Sequence, residues 1–234
     1  MSDGITSQVQ PLMARDGHTF SVYMASPNGR AGAAVIILQE IFGVTPWIRR
    51  VADSYAAAGY LAVAPALFDR VRRGIELGYS PAQIEQGKGY RAQIAVDKTL
   101  LDIAACAAVI RHAGRVAIIG FCWGGTLAWT AAASLKPAAA VCYYATGLTA
   151  QTARPPACPT LLHFAQADPD IPASEVEQLR SAFPQGEFHL YPARHGFANE
   201  DRTDYYDAAA TMLARSRTDE FLARTLLGTG QPSR

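Results

Sequence analysis

The sequence lacks a basic run. Its 21 Lys and Arg nearly cancel its 20 Asp and Glu, leaving a formal charge of +1, so nothing in it offers the electrostatic footprint that nucleic acid or an anionic membrane surface demands. It also lacks an apolar stretch near the roughly 18 residues of a membrane span. The opening MSDGITSQVQ has neither a basic start nor an apolar block, so no export signal is expected and a cytoplasmic location is. Cysteine is sparse: Cys106, Cys122, Cys142 and Cys158 form no C-x-x-C pair and no zinc-finger spacing. Reduced thiols, with no metal, no cofactor and no disulfide framework, are the expectation. No repeat, low-complexity block or shift of composition marks a boundary. One domain over residues 1–234 is expected, with about 228–234 as a frayed tail, assembled as a monomer or small homo-oligomer.

Half of the 234 residues are hydrophobic, enough to build a sizeable core. They fall in a repeating order. Ala33–Glu40, Leu61–Phe68, Val116–Phe121 and Ala138–Tyr144 are short aliphatic runs of the kind found in strands buried on both faces. Thr160–Phe164 and Phe188–Tyr191 continue the series, and extended character around His18–Ala25 precedes it. Between them, helices are expected at Trp47–Ala58, Ala92–His112, Gly124–Lys136, Ser174–Phe183 and Asp204–Leu227. Residues 69–90 read as a long loop with a short helix. The alternation indicates an α/β class with a mostly parallel central sheet and helices on both faces. Ligands of such sheets bind at the carboxyl ends of the strands.

The segment Gly120-Phe121-Cys122-Trp123-Gly124-Gly125 lies between a strand and a helix. It has the G-x-C-x-G form of a nucleophile elbow, with sulfur where the α/β-hydrolase fold usually carries a serine oxygen. Glycine is needed there because the strand-to-helix turn leaves no room for side chains beside the nucleophile. The turn places Cys122 at a helix N-terminus, which favours a thiolate, and aims the Trp123 N–H at a tetrahedral oxyanion. A base and an acid must follow in chain order, acid first. His195 stands in the loop after the last strand. His18, His112, His163 and His189 read as structural. Asp168 ends the Thr160–Phe164 strand region before a proline-bounded turn, and Asp170 competes with it for the same role. Glu40 ends an aliphatic run, where a carboxylate is costly unless solvated or employed; capping, loop anchoring and acid–base work all fit it. Cys106 and Cys142 read as packing residues.

Together QEIFGV (residues 39–44), GFCWGG (120–125), the Asp168-x-x-x-Pro172 turn and HGF (195–197) resemble the dienelactone hydrolase family, in family order and over roughly residues 35–226. The resemblance implies a Cys122–His195–Asp168 triad in an α/β-hydrolase fold and a Glu40 that takes the resting thiol's proton. It also implies an oxyanion hole from the N–H groups of Trp123 and Ile41. The implied partner is a small-molecule ester or lactone, the family reaction being dienelactone hydrolysis in the breakdown of aromatic compounds. Two features depart from the pattern. Ala165 stands where the acid turn usually begins with Gly. Asn199 stands where dienelactone-processing members bind the substrate carboxylate with an arginine. Arg91, with Lys88 as the alternative, is the candidate for a second substrate cation. A different ester, lactone or thioester is therefore an open substrate. A non-catalytic binding module and a redox thiol protein are the rival readings.

Overall fold

The computed structural model describes residues 4–228, which divide between two compact units, 4–116 and 117–228. The first holds strands β1 (Ile5–Met13), β2 (Thr19–Pro27), β3 (Ala33–Leu38) and β4 (Tyr60–Pro65), with helices α1 (Pro46–Ala57), α2 (Pro81–Ala92) and α3 (Val96–Ile110). Its strands run in the order β1-β2-β4-β3. The β1/β2 and β2/β4 pairs are antiparallel and β3/β4 is parallel. Every residue of β3 and β4 is buried, which explains why both read as unbroken aliphatic runs. Strand β1 has no counterpart in the sequence expectation. ITSQVQPLM is mostly exposed, and a polar strand that tolerates Pro11 leaves little hydrophobic pattern to find.

The short helix expected within the loop over 69–90 is α2, which is longer than expected and runs to Ala92. Ser80 caps this twelve-residue helix by accepting the Gln83 N–H, and Pro81 occupies its first turn. Gly87 and Gly89 masked its length, being poor helix formers. Gly87 is there for contact: a methyl group at that position would stand 2.1 Å from the Ile41 carbonyl oxygen. The same loop is held from the other side. Gly43 (φ 89°) approaches so closely that a Cβ would lie 1.9 Å from the Ile75 oxygen, Leu77 N–H donates to the Phe42 carbonyl at 2.8 Å, and Phe42 meets Tyr79 edge-on at 4.8 Å. Residues 75–87 thus clamp the segment that follows β3. The expected single helix over Ala92–His112 is also corrected. Helix α2 ends at Ala92 and α3 starts at Val96, with Ile94 buried in the break. Neither Gly nor Pro marks that break in the sequence.

The second unit carries β5 (Val116–Phe121), β6 (Ala139–Tyr143), β7 (Thr160–Ala167) and β8 (Glu187–Arg194), all parallel and in that order, with α4 (Trp123–Leu135), α5 (Ala173–Ala182) and α6 (Ala208–Leu222). These match the sequence expectation closely apart from α6. It begins at Ala208 rather than Asp204, because Asp207 caps it by accepting the Ala210 N–H, and it closes in a π-turn over Ala223–Leu227. Of the expected tail, residues 229–234 lie outside the described residues. No described helix is long and apolar enough to cross a membrane.

A buried polar chain ties α6 to β6, β7 and β8. The Thr218 hydroxyl donates to the Ala214 carbonyl at 2.9 Å. Its single hydrogen is thereby used, so Thr218 Oγ1 accepts from Tyr143 Oη at 2.7 Å and from His163 Nε2 at 3.0 Å. His163 Nδ1 is then the acceptor for Tyr191 Oη at 2.8 Å. Burial, with the neighbouring His189 and Arg217 adding to it, holds the His163 imidazole well below its ordinary pKa. The folded state therefore keeps His163 neutral, whereas the unfolded chain takes up a proton near pH 6.5. The contribution is complete above that pH and is lost progressively as pH falls below it. Urea unfolding should show wild-type stability dropping between pH 6.5 and 5.5 by up to about 1 kcal/mol more than that of His163→Gln, which keeps a donor and an acceptor but cannot titrate. Equal slopes would refute the neutral assignment.

Candidate active site

Strand β5 runs directly into α4 through Cys122, whose backbone (φ 53°, ψ −116°) lies outside the regions that L-residues favour. The turn is over-determined. Cys122 N–H donates to the Tyr143 carbonyl at 2.9 Å, Cys122 O accepts the Thr126 N–H at 3.1 Å, and the Thr126 hydroxyl donates to the Thr146 carbonyl at 2.9 Å. The glycines answer to sterics as the motif requires. A Cβ on Gly120 would sit 1.9 Å from the Gly124 carbonyl oxygen, and one on Gly125 would sit 2.9 Å from both the Tyr143 oxygen and the Ala145 methyl. Cys122 is partly exposed, whereas Cys106 and Cys142 are buried. Burial pushes both of those thiols far above the ordinary range, which makes them inert packing groups.

Asp168 follows β7 and His195 follows β8, so both leave the carboxyl ends of their strands. Asp168 Oδ2 accepts from His195 Nδ1 at 2.8 Å, and Oδ1 accepts the Asp170 N–H at 2.9 Å. The two acids differ in placement: Asp168 is buried and bonds the imidazole, while Asp170 is exposed and donates its N–H to Asp168. Asp168, Asp170 and His195 bring ligand-type atoms within 4.8 Å of one another, and both Asp168 oxygens are engaged in the bonds just given. The Cys122 sulfur stands near enough to the His195 side chain to act on its charge. Burial works against charge on this imidazole, but the Cys122 sulfur and the Asp168 carboxylate outweigh it and hold its pKa well above 6.5. Sulfur, imidazole and carboxylate thus form one continuous relay inside the second unit.

The remaining predicted residues have different surroundings. Glu40 is buried just beyond β3, and Ile41 follows it under α2. Gln39, which opens the QEIFGV segment but received no role of its own, fixes this loop. Its fully buried amide donates to the Glu40 carbonyl at 3.2 Å and accepts the Leu67 N–H at 3.1 Å. Trp123 is buried at the start of α4. Asn199 is fully buried, and its Oδ1 accepts the Asp201 N–H at 3.1 Å, which makes it a turn former. Arg91 is exposed in the last turn of α2, and Lys88 pairs with Glu85 at 2.7 Å. A second residue missed by the sequence reading is Tyr144, one position past β6. It is fully buried, and its ring centroid lies 5.1 Å from that of His195. Its place after a strand was visible; its direction was not.

The chain is similar to several known proteins. A solved structure from Klebsiella pneumoniae superposes with a TM-score of 0.80 at 28% identity, covering 94% of this chain and 97% of that one. An esterase from Pyrococcus furiosus shares the α/β-hydrolase fold at 15% identity, with a TM-score of 0.69 over 95% of this chain and 94% of its own. Carboxymethylenebutenolidase 1 of Cupriavidus pinatubonensis and the carboxymethylenebutenolidase of Pseudomonas putida are each 32% identical over 95% of this chain and 97% of theirs. The model of the dienelactone hydrolase family matches residues 20–226, and the chain belongs to that family.

Proposed function

We propose that this enzyme hydrolyses a small-molecule ester or lactone through a thioacyl intermediate on Cys122, with His195 as the acid–base group and Asp168 as its orienting acid. The observation that carries the reading is the Cys122–His195–Asp168 relay, in which an imidazole of raised pKa bridges a sulfur and a buried carboxylate. The thiolate attacks the acyl carbon and the carbonyl electrons move onto oxygen. As this tetrahedral species collapses, the leaving alkoxide takes the proton held by His195. The now neutral imidazole removes a proton from water, whose oxygen attacks the thioester. The acid departs, and the sulfur regains its negative charge beside the protonated imidazole. The family resemblance adds the N–H groups of Trp123 and Ile41 as oxyanion donors and makes Glu40 the alternative to His195 as acceptor of the thiol's proton. In lactone hydrolysis the alkoxide stays attached to the acyl group, so one product leaves.

The substrate we favour carries no carboxylate. The position that would supply a guanidinium in the loop after His195 is Asn199, buried and occupied by its own turn. What the carboxymethylenebutenolidases of the comparison act on is therefore not transferred whole.

Mutation, acyl mass, titration and substrate choice each bear on the proposal. Cys122→Ala should abolish turnover of p-nitrophenyl acetate while Cys106→Ala leaves it intact, and a wild-type sample quenched during turnover should show the acyl mass on Cys122; turnover by the Cys122→Ala protein would sink the mechanism. Asp168→Asn should lower kcat by roughly 10³–10⁴-fold, as loss of the orienting acid does in comparable triads. The imidazole of His195, followed by NMR, should titrate above pH 6.5 in the wild type and shift downward in Cys122→Ala, because burial then faces one charge partner instead of two. The raised pKa favours the charged imidazole, which is lost as pH rises through it. On substrate choice, the methyl ester of a dienelactone should be cleaved with a higher kcat/KM than the free carboxylate; the reverse order would refute the uncharged-substrate assignment.

A further inference from the structure

Three non-glycine residues among those described have a positive φ: Cys122, Lys136 and Tyr144. Cys122 is the elbow, and Lys136 is the left-handed residue that ends α4, an ordinary helix stop. Tyr144 (φ 37°) has neither reason. A bulky aromatic residue resists this conformation, so the surrounding contacts must impose it. Its N–H donates to the His163 carbonyl at 2.7 Å, continuing the β6–β7 ladder by one residue. Its ring, meanwhile, meets Tyr143 edge-on at 6.2 Å and three residues from outside its own strand. The centroid is 5.1 Å from the His195 imidazole at 60° between planes, 5.4 Å from Phe197 in an edge-on contact, and 6.3 Å from Phe121. One ring therefore reaches the residue before the nucleophile, the base itself, and the residue two beyond the base.

We infer that Tyr144 is a positioning residue for His195, resting on the reading of the site given above: its ring is the wall that fixes the plane of the imidazole. The Asp168 bond fixes one atom of that imidazole, at 2.8 Å. A single hydrogen bond leaves the ring free to pivot about its own axis, and the far edge must stay aimed at Cys122 for a proton to pass. A second, hard contact removes that freedom. The ring of Tyr144 supplies it, because Tyr144 cannot move: its backbone is bonded into the ladder and its side chain is fully buried. The left-handed turn at this residue is what keeps the ladder bond while directing the ring at His195.

The test compares Tyr144→Phe, which keeps the ring and removes the hydroxyl, with Tyr144→Leu, which keeps apolar bulk and removes the ring. On protein that melts well above the assay temperature, the Phe variant should retain kcat within about twofold. The Leu variant should lose roughly 10–10²-fold in kcat with KM little changed, the scale expected of a misplacement near 1 Å. A merely structural role would not move two further readouts. In the Leu variant the NMR titration of His195 should shift downward, and alkylation of Cys122 by iodoacetamide at neutral pH should slow; the Phe variant should restore both. If the Leu protein fails to fold, Tyr144→Met, more adaptable in a core, takes its place. Wild-type kcat and an unmoved His195 titration in the Leu or Met variant would overturn the inference, as would a Phe variant as impaired as the Leu one. The titration and alkylation need no substrate, so failure of the hydrolytic reading, seen as turnover by Cys122→Ala, is distinguishable from failure of this one.

Discussion

Charging an imidazole inside a folded protein is unfavourable by itself, and at His195 burial does oppose it. What reverses the balance is a pair of partners on either side: a carboxylate bonded at 2.8 Å and a sulfur within bonding reach. The rest of the second unit is arranged so that neither partner can retreat. Asp168 is held by the Asp170 N–H. Cys122 is held by a turn in which the Gly120 position admits no side-chain atom, since one would lie 1.9 Å from a carbonyl oxygen. Strand β5 and helix α4 must therefore meet where they do, or the sulfur moves. The parallel order of β5, β6, β7 and β8 then brings Cys122, Asp168 and His195 off the same ends of three strands.

The first unit solves a different problem, the control of a loop rather than of a charge. The segment after β3 carries a buried Glu40 and is fixed by three means of unlike chemistry. An amide bridges it to Leu67, a helix lies so close that only glycine fits against Ile41, and a backbone bridge joins Gly43 to Glu76. Arg49 reinforces the last of these, pairing with Glu76 at 2.6 Å and donating to the Val44 carbonyl at 2.8 Å. Redundant restraint of a short loop is what a backbone N–H acting as an electrostatic donor would need, because such a donor helps only if it is already in place when charge develops.

Much of this could be read from the residues, for reasons that also explain what could not. Strands β3 and β5 were visible because burial on both faces writes itself as an aliphatic run. Strand β1 was not, since an exposed edge has no such pattern. The elbow was visible because its glycines are steric necessities with fixed spacing. The length of helix α2 was masked by Gly87, a residue chosen for its contact with Ile41 rather than for helix propensity. Asp168 and Asp170 could not be separated by sequence, as they differ only in which one turns inward. Gln39 and Tyr144 were missed for one shared reason: a buried amide's two bonds and an aromatic residue's positive φ are facts of tertiary placement, and residue type alone carries neither.

His163 and His195 show how little burial decides alone. They stand on β7 and just past β8, both buried, and desolvation pushes both toward neutrality. His163 meets only hydroxyl groups as hydrogen-bond partners, at 2.8 and 3.0 Å, with Arg217 and His189 as its charged or chargeable neighbours. Nothing there stabilises a cation, so the ring stays neutral and serves as a two-ended link in the core. His195 meets a carboxylate and a sulfur, and the same desolvation is overcome. The division between a structural and a chemical histidine is drawn by the sign of the neighbours. It also sets two limits of opposite sense, since acid threatens the neutral ring in the core while alkali discharges the one at the site. Between them lies the range in which a folded core and a charged imidazole coexist, and a thiolate mechanism requires both.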